Sequence, residues 1–484
     1  MVSSFFCSVS LREKRLGTIM KKTGILLPVG ALPAKYGIGD FGLCARTFID
    51  VLKDNGIQVW QILPLGPVGY GNSPYQCASS HALEEMYVSP ELLYEEGLIA
   101  HLPEEVPLGT IHYEEVQALK RSLLREAYSN FQETEEFKEF CEQTWVKEYT
   151  LFKTWKEANG NQAFIEWPYK FRRKPSRNIL HQYRKEIRFQ MFIQYILHVQ
   201  FTALKEKLQE AGISLMGDMP FYTGGDSDDV YFHPDMFLVT DGRPDWIAGV
   251  PPDYFSADGQ RWGNPIYNWE AMKKDGYAWW LERIRANAEL YDLIRIDHFR
   301  AFDTYWKIPA SEPTAINGKW IVNDGDAFFK ALYDKYPDIH IIAEDLGDLR
   351  PEVYELRDKW KLPGMRVLQF DFPSESRKED VIYIGTHDNP SMRTWFTELP
   401  LEEQRKIYSR LSGEYSGRDV YDAILKYALD LPGIMVIFAV QDLLGGKERI
   451  NTPGTIGSPN WEYRITDPDY ADTLKETLER IRAR

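Results

Sequence analysis

Three carboxylates stand where apolar runs of this chain stop: Asp297 after Leu293-Ile294-Arg295-Ile296, Glu344 after Ile341-Ile342-Ala343, and Asp388 in Gly385-Thr386-His387-Asp388-Asn389. A fourth, Asp218, ends the run 213–218 ahead of an aromatic and glycine-rich stretch at 221–225. Carboxylates in pairs can run glycoside chemistry, one as nucleophile and one as general acid, about 5 to 5.5 Å apart in retaining enzymes. On a strand Arg295 and Asp297 share a face, and a cation beside a carboxylate is expected to lower its pKa and keep it ionised for attack. Taken alone, the same segment reads equally as an ion pair capping a strand. Glu344 has Asp345 beside it in sequence, and Asp388 is a candidate neighbour across the site. Nearby negative charge would raise the Glu344 pKa, as a general acid requires. Asp388 and His387 would then hold sugar hydroxyls and support an oxocarbenium-like transition state. For His387 and His298 the competing reading is a hydrogen-bonded core histidine.

Elements that present acids in this way are parallel strands whose C-terminal ends converge. Residues 24–29 read as a strand, 41–55 as a helix with Phe48, Val51 and Leu52 at helical spacing, and 59–63 as the next strand, which makes a βαβ unit. Later strand candidates are 213–218, 292–297, 339–344, 366–370, 381–386 and 435–440, most of them separated by helical segments. The fold class is therefore α/β, an eight-fold βα barrel, which needs about 250 residues and carries its site at the strand C-termini. The remainder must be insertions and extensions. We expect a largely helical insertion at 67–180, a long helix at 180–211, and one catalytic domain over 20–484. The first 19 residues read as a poorly ordered extension, with Met20 as an alternative start. Their order of apolar and basic residues is the reverse of a secretory signal.

The segment 249–265, with Pro251, Pro252, Gly259 and Pro265 among Tyr254, Phe255, Gln260, Trp262 and Asn264, mixes turn formers with aromatics and amides, the chemistry of a carbohydrate lid. Alternatively, the same aromatics anchor an irregular loop over the barrel. The 484 residues are 44% hydrophobic and 27% charged, as in an ordinary globular protein. A formal net charge of -15 disfavours nucleic acid and anionic membranes and favours a neutral substrate. Cys7, Cys44, Cys77 and Cys141 show neither metal-ligand spacing nor a disulfide framework, which suits a reducing cytoplasm. No cofactor or metal ion is expected.

With these residues assembled, the chain from Thr23 to about Arg464 resembles the 4-alpha-glucanotransferases, or amylomaltases, of glycoside hydrolase family 77. The resemblance implies an α-amylase-type (β/α)8 barrel with inserted subdomains, acting on maltooligosaccharides and α-1,4-glucans in starch or glycogen metabolism. By motif, Asp297 would be the nucleophile, Glu344 the acid/base and Asp388 the transition-state stabiliser. Arg295, His387 and Asp218 match positions around the bond-cleaving subsite. Ser73 and Tyr75 match a substrate-contact segment, and Tyr254, Phe255, Gln260, Trp262 and Asn264 match the lid. Asn460 matches a C-terminal sugar-contact motif, although Ser458-Pro459 departs from the glycine-rich form expected before it. From the short N-terminal region, none of the carbohydrate-binding modules of some longer relatives is expected. Three rivals compete with this reading: a hydrolase of the same clan, a barrel isomerase or lyase holding a divalent ion on the three acids, and a non-catalytic glucan-binding protein.

Overall fold

The structure, a computed structural model, describes residues 21–172, 175–252 and 256–483. Eight strands, β1 Lys22–Leu26, β2 Val59–Gln61, β3 Ser214–Met219, β4 Leu293–Ile296, β5 Ile341–Ala343, β6 Met365–Val367, β7 Val381–Tyr383 and β8 Met435–Ala439, form one sheet. Their order is β5-β4-β3-β2-β1-β8-β7-β6, with every neighbouring pair parallel. The two edges meet where Ala343 at the end of β5 donates its N–H to the carbonyl of Pro363, just before β6, at 2.8 Å. The sheet is thus an almost closed (β/α)8 barrel, as expected, and each strand lies within a few residues of its expected position.

Side-chain alternation explains the closure. Leu26, Val59, Met216, Ile342, Met365, Val367, Val381, Tyr383, Met435 and Ile437 point inward and pack into one buried cluster, the barrel lumen. Their alternates, including Ile25, Trp60, Leu215, Ile294, Ile296, Ile382 and Phe438, point outward into the larger core shared with the helices. Gly24 is required in β1 because a Cβ there would lie 2.3 Å from the Ile437 side chain and 2.9 Å from that of Val59. Helices follow the strands, beginning with Leu43–Asp54 after β1, but β6 passes to β7 with no helix between them.

Between β2 and β3 the chain forms the helices Pro90–Glu95, Tyr113–Asn130, Glu135–Cys141, Thr144–Ala158 and Arg177–Gln182. These helices lie within or next to the span 67–180. The long helix expected at 180–211 is Arg184–Glu210, and Tyr183 separates it from the short helix Arg177–Gln182 before it. Ser176 starts the first of them by accepting the N–H of Ile179. The proposed N-terminal extension, residues 1–19, lies outside the described residues.

The segment 249–265, expected to be a lid loop, needs correction. It belongs to a hairpin of two strands, Trp246–Val250 and Gln260–Pro265, within a four-stranded antiparallel sheet. The sheet is completed by Thr304–Pro309 and Lys319–Val322. The prolines and glycines at its turn hid the strand periodicity. Because Thr304–Pro309 comes directly after the β4 loop, the hairpin is mounted on the segment that carries Asp297.

Candidate functional site

The polar groups at the top of the barrel form a continuous belt. Asp218 in β3 and Arg295 in β4 are direct neighbours in the strand register. Arg295 Nη1 donates to both Asp218 oxygens at 2.7 Å, and its Nη2 lies 3.2 Å from Asp297 Oδ1. The other lone pairs of Asp218 face Tyr75, whose hydroxyl donates to Oδ2 at 2.7 Å. The Tyr75 ring stacks on His387, with centroids 5.1 Å apart and planes 15° apart. His387 Nε2 lies 3.4 Å from Asp388 Oδ1, so the belt runs from Asp297 through Arg295, Asp218, Tyr75 and His387 to Asp388. Burial pushes the His387 imidazole down, which leaves it neutral.

This arrangement changes the electrostatic reading of Asp297. Arg295 was expected to hold its pKa low, but the guanidinium is shared, and its shorter contacts go to Asp218. Asp297 is pushed up to about 7, first by desolvation, with Asp218 and Asp388 adding to the rise and Arg295 opposing it. A third of its side chain is nonetheless exposed.

Glu344 is held against the same turn. Its Oε2 accepts the backbone N–H of His298 at 2.8 Å, and its own N–H donates to Ile296 O at 3.1 Å. Its pKa is raised well above the usual carboxylate range, by burial first and then by Asp297. Asp345, expected to be a main source of that rise, is a minor one because its carboxylate is paired with Arg357 and accepts the Met365 N–H at 2.7 Å. Asp297 and Glu344 interact electrostatically, and two interacting carboxyl groups lose their protons in separate steps. The pair can therefore hold one ionised and one protonated acid together.

Asp388 is 45% exposed and is held by residues that the motifs did not single out. Asn451 Nδ2 donates to its Oδ1 at 2.7 Å, while Arg449 bonds the Asp388 carbonyl and, at 2.6 Å, that of Asn451. The available signal was positional, since 449–454 follows β8 at the face where barrel sites lie.

The remaining expected contacts divide. Ser73 Oγ accepts the Tyr75 N–H at 3.3 Å, so both lie in one turn over the barrel. Gln260 Oε1 accepts from Trp262 Nε1 at 3.1 Å, and the Trp262 indole meets the His298 ring edge to face at 4.9 Å. Asn264 is 4% exposed and donates to Thr223 O at 2.8 Å, with a further bond from Gln76. Its amide therefore fastens the base of the hairpin. Asn460 is likewise buried, accepting from Thr452 N at 2.8 Å and donating to Thr455 Oγ1 at 2.9 Å, which shapes the 452–455 loop. Trp461, beside it, packs near Tyr75 and His387. Tyr254 and Phe255 lie outside the described residues. Among the described residues, no group of three or more His, Cys, Asp and Glu is arranged to hold a metal ion.

Comparison with known proteins agrees with this geometry. A family model described as 4-alpha-glucanotransferase matches residues 27–469. A 4-alpha-glucanotransferase of Aquifex aeolicus is 38% identical, with 96% of this chain and 98% of the relative covered. A chloroplastic/amyloplastic 4-alpha-glucanotransferase of Solanum tuberosum is 34% identical, with coverage of 96% and 85%. The solved amylomaltase from Streptococcus agalactiae, in complex with acarbose, superimposes with a TM-score of 0.90 at 32% identity, covering 95% of this chain and 99% of that one.

Proposed function

Since the chain belongs to the 4-alpha-glucanotransferase family, we propose that it moves a segment of an α-1,4-glucan to the 4-hydroxyl of an acceptor glucose or glucan by a retaining double displacement. Glu344 protonates the glycosidic oxygen as the C1–O bond breaks, and the Asp297 carboxylate bonds to C1 from the opposite face. The reducing-end piece leaves. Glu344, now a carboxylate, takes the proton from the incoming 4-hydroxyl, whose oxygen displaces Asp297 and restores the α configuration. Asp388 and His387 hold hydroxyls of the sugar at the cleavage point, and Arg295 and Asp218 frame it.

The observation that carries this reading is the bond from His298 N–H to Glu344 Oε2, which draws the acid to the residue next to Asp297. It sets two carboxyl groups with raised pKa side by side, and an interacting pair that titrates in separate steps can supply one protonated acid and one ionised nucleophile. Incubation with maltotriose is the test. A transferase yields glucose and a ladder of longer chains with no net gain of reducing ends, whereas a hydrolase raises reducing ends steadily. Turnover lost in EDTA and restored by a divalent ion would favour the metal-dependent alternative instead.

Transfer prevails over hydrolysis when an acceptor is positioned at high effective molarity and water is kept away. We assign that selection to the hairpin, with Tyr254, Phe255 and Trp262 as its aromatic side chains. Shortening its turn between Pro252 and Asp258 is expected to raise the ratio of hydrolysis to transfer at least about threefold. An unchanged ratio, read from reducing ends against released glucose, would remove the hairpin from this role. The compartment is read as cytoplasmic from cysteine usage; no helix among the described residues is long and apolar enough to cross a membrane. We read residues 20–484 as one catalytic domain.

A further inference from the structure

His298 occupies an unusual position for a side chain of its size. It follows Asp297 with φ 53° and ψ 46°, in the left-handed region that residues other than glycine rarely adopt. Such a conformation persists where its surroundings hold it in place. Two sets of contacts do so here. On one side the turn grips Glu344: the His298 N–H bonds Oε2 at 2.8 Å, and the Phe299 N–H bonds the Glu344 carbonyl at 3.1 Å. On the other side the imidazole meets Trp262 of the lid hairpin edge to face at 4.9 Å and lies 6.3 Å from the Tyr222 ring. The hairpin reaches the same turn by a second route, because its strand Trp246–Val250 pairs with Thr304–Pro309, which directly follows the turn.

We propose that His298 is a positioning residue that transmits the placement of the lid hairpin to the acid/base Glu344. A glucan seated against Trp262 steadies the indole, the indole steadies the imidazole, and the imidazole keeps the left-handed turn aimed so that its N–H stays on Oε2. Proton transfer by the imidazole itself is not part of this role, since burial pushes it down to about 3 and leaves it neutral. A backbone N–H on a carboxylate favours the charged form, so the turn tunes how readily Glu344 gives up its proton. The other groups facing Glu344 are Asp297 and Arg295 on β4, Arg300 in the turn beyond it, and Asp345, which Arg357 neutralises.

The test compares His298→Asn, which tolerates the left-handed turn and keeps the N–H but loses the ring, with Trp262→Leu, which removes the partner from the hairpin side. With maltotriose, His298→Asn is expected to lower kcat about tenfold. The basic limb of kcat/KM, where the acid loses its proton, should move up by about half a unit in both variants, because a loosened N–H bond leaves Glu344 protonated to higher pH. The double variant should do little more than the stronger single one. Basic limbs that stay in place in both variants, or effects that add independently, would overturn the coupling; if His298→Asn does not fold, Trp262→Leu still reports the limb. The proposal rests on Glu344 as acid/base, and that reading fails separately if Glu344→Gln retains full turnover.

Discussion

Asp297→Asn is expected to lower disproportionation of maltotriose by roughly 10⁴-fold or more, with folding unchanged by circular dichroism and thermal melt. The substitution keeps the shape of the side chain and removes the charge that, in the proposed mechanism, bonds to C1. Glu344→Gln should cause a comparable loss with maltotriose, whose leaving group needs a proton. The two variants separate with maltosyl fluoride as donor, because fluoride departs without protonation. Glu344→Gln should then recover the first step, forming the glycosyl-enzyme in a burst, while Asp297→Asn should remain inactive. An Asp297→Asn enzyme that keeps a few per cent of turnover, or responds to the fluoride as Glu344→Gln does, would remove Asp297 as the nucleophile.

Arg295→Met is expected to cost about 3 to 5 kcal/mol of stability as well as activity. The Asp218 side chain is fully buried and Arg295 Nη1 contacts both of its oxygens, so methionine would leave a charge in the barrel top with, among the described residues, only the Tyr75 hydroxyl to meet it. Removing both partners is different in kind. In Arg295→Met with Asp218→Asn the uncompensated charge is gone, so most of the stability should return while activity stays low, because the proposed mechanism has the pair frame the cleavage point. Denaturant midpoints and maltotriose turnover measured side by side would decide. A single variant that loses less than about 1 kcal/mol, or a double variant as unstable as the single, would count against a structural dependence of the belt on this pair.

Much of the barrel was readable because its strands are short, β-branched and ended by polar residues or loops, and their alternation is strict enough to separate lumen from outer core. The acids at 297, 344 and 388 were readable for the same reason, since a carboxylate directly after an apolar strand has few neutral explanations once several occur together. The segment 249–265 was read as a loop because Pro251, Pro252 and Gly259 dominate the local signal, whereas the hairpin strand Trp246–Val250 pairs with Thr304–Pro309, about sixty residues away, and Gln260–Pro265 pairs with that strand in turn. Asn264 and Asn460 were read as sugar contacts, yet each is buried and bonded to a neighbouring loop. Residue type and motif say that an amide matters at a position but not which way it faces. Arg449 and Asn451 escaped notice for the converse reason: their importance lies in reaching Asp388 across some sixty residues of chain.

Fold class, the positions of the strands along the chain and the identity of the proposed reacting acids are carried by local pattern, because apolar periodicity and strand-end chemistry act over a few residues. The division of roles rests on distances that no local pattern encodes. Arg295 lies one residue from Asp297 on the same face of the same strand, which predicts a private ion pair. The register of β3 against β4 gives the guanidinium to Asp218 instead and leaves Asp297 a shared cation in a desolvated cleft. Glu344 is likewise raised chiefly by its burial and by Asp297 across the site, and only slightly by its sequence neighbour Asp345, which Arg357 neutralises. Electrostatic energy depends on separation and solvent access in three dimensions, so the same acids could be located along the chain before their protonation could be assigned.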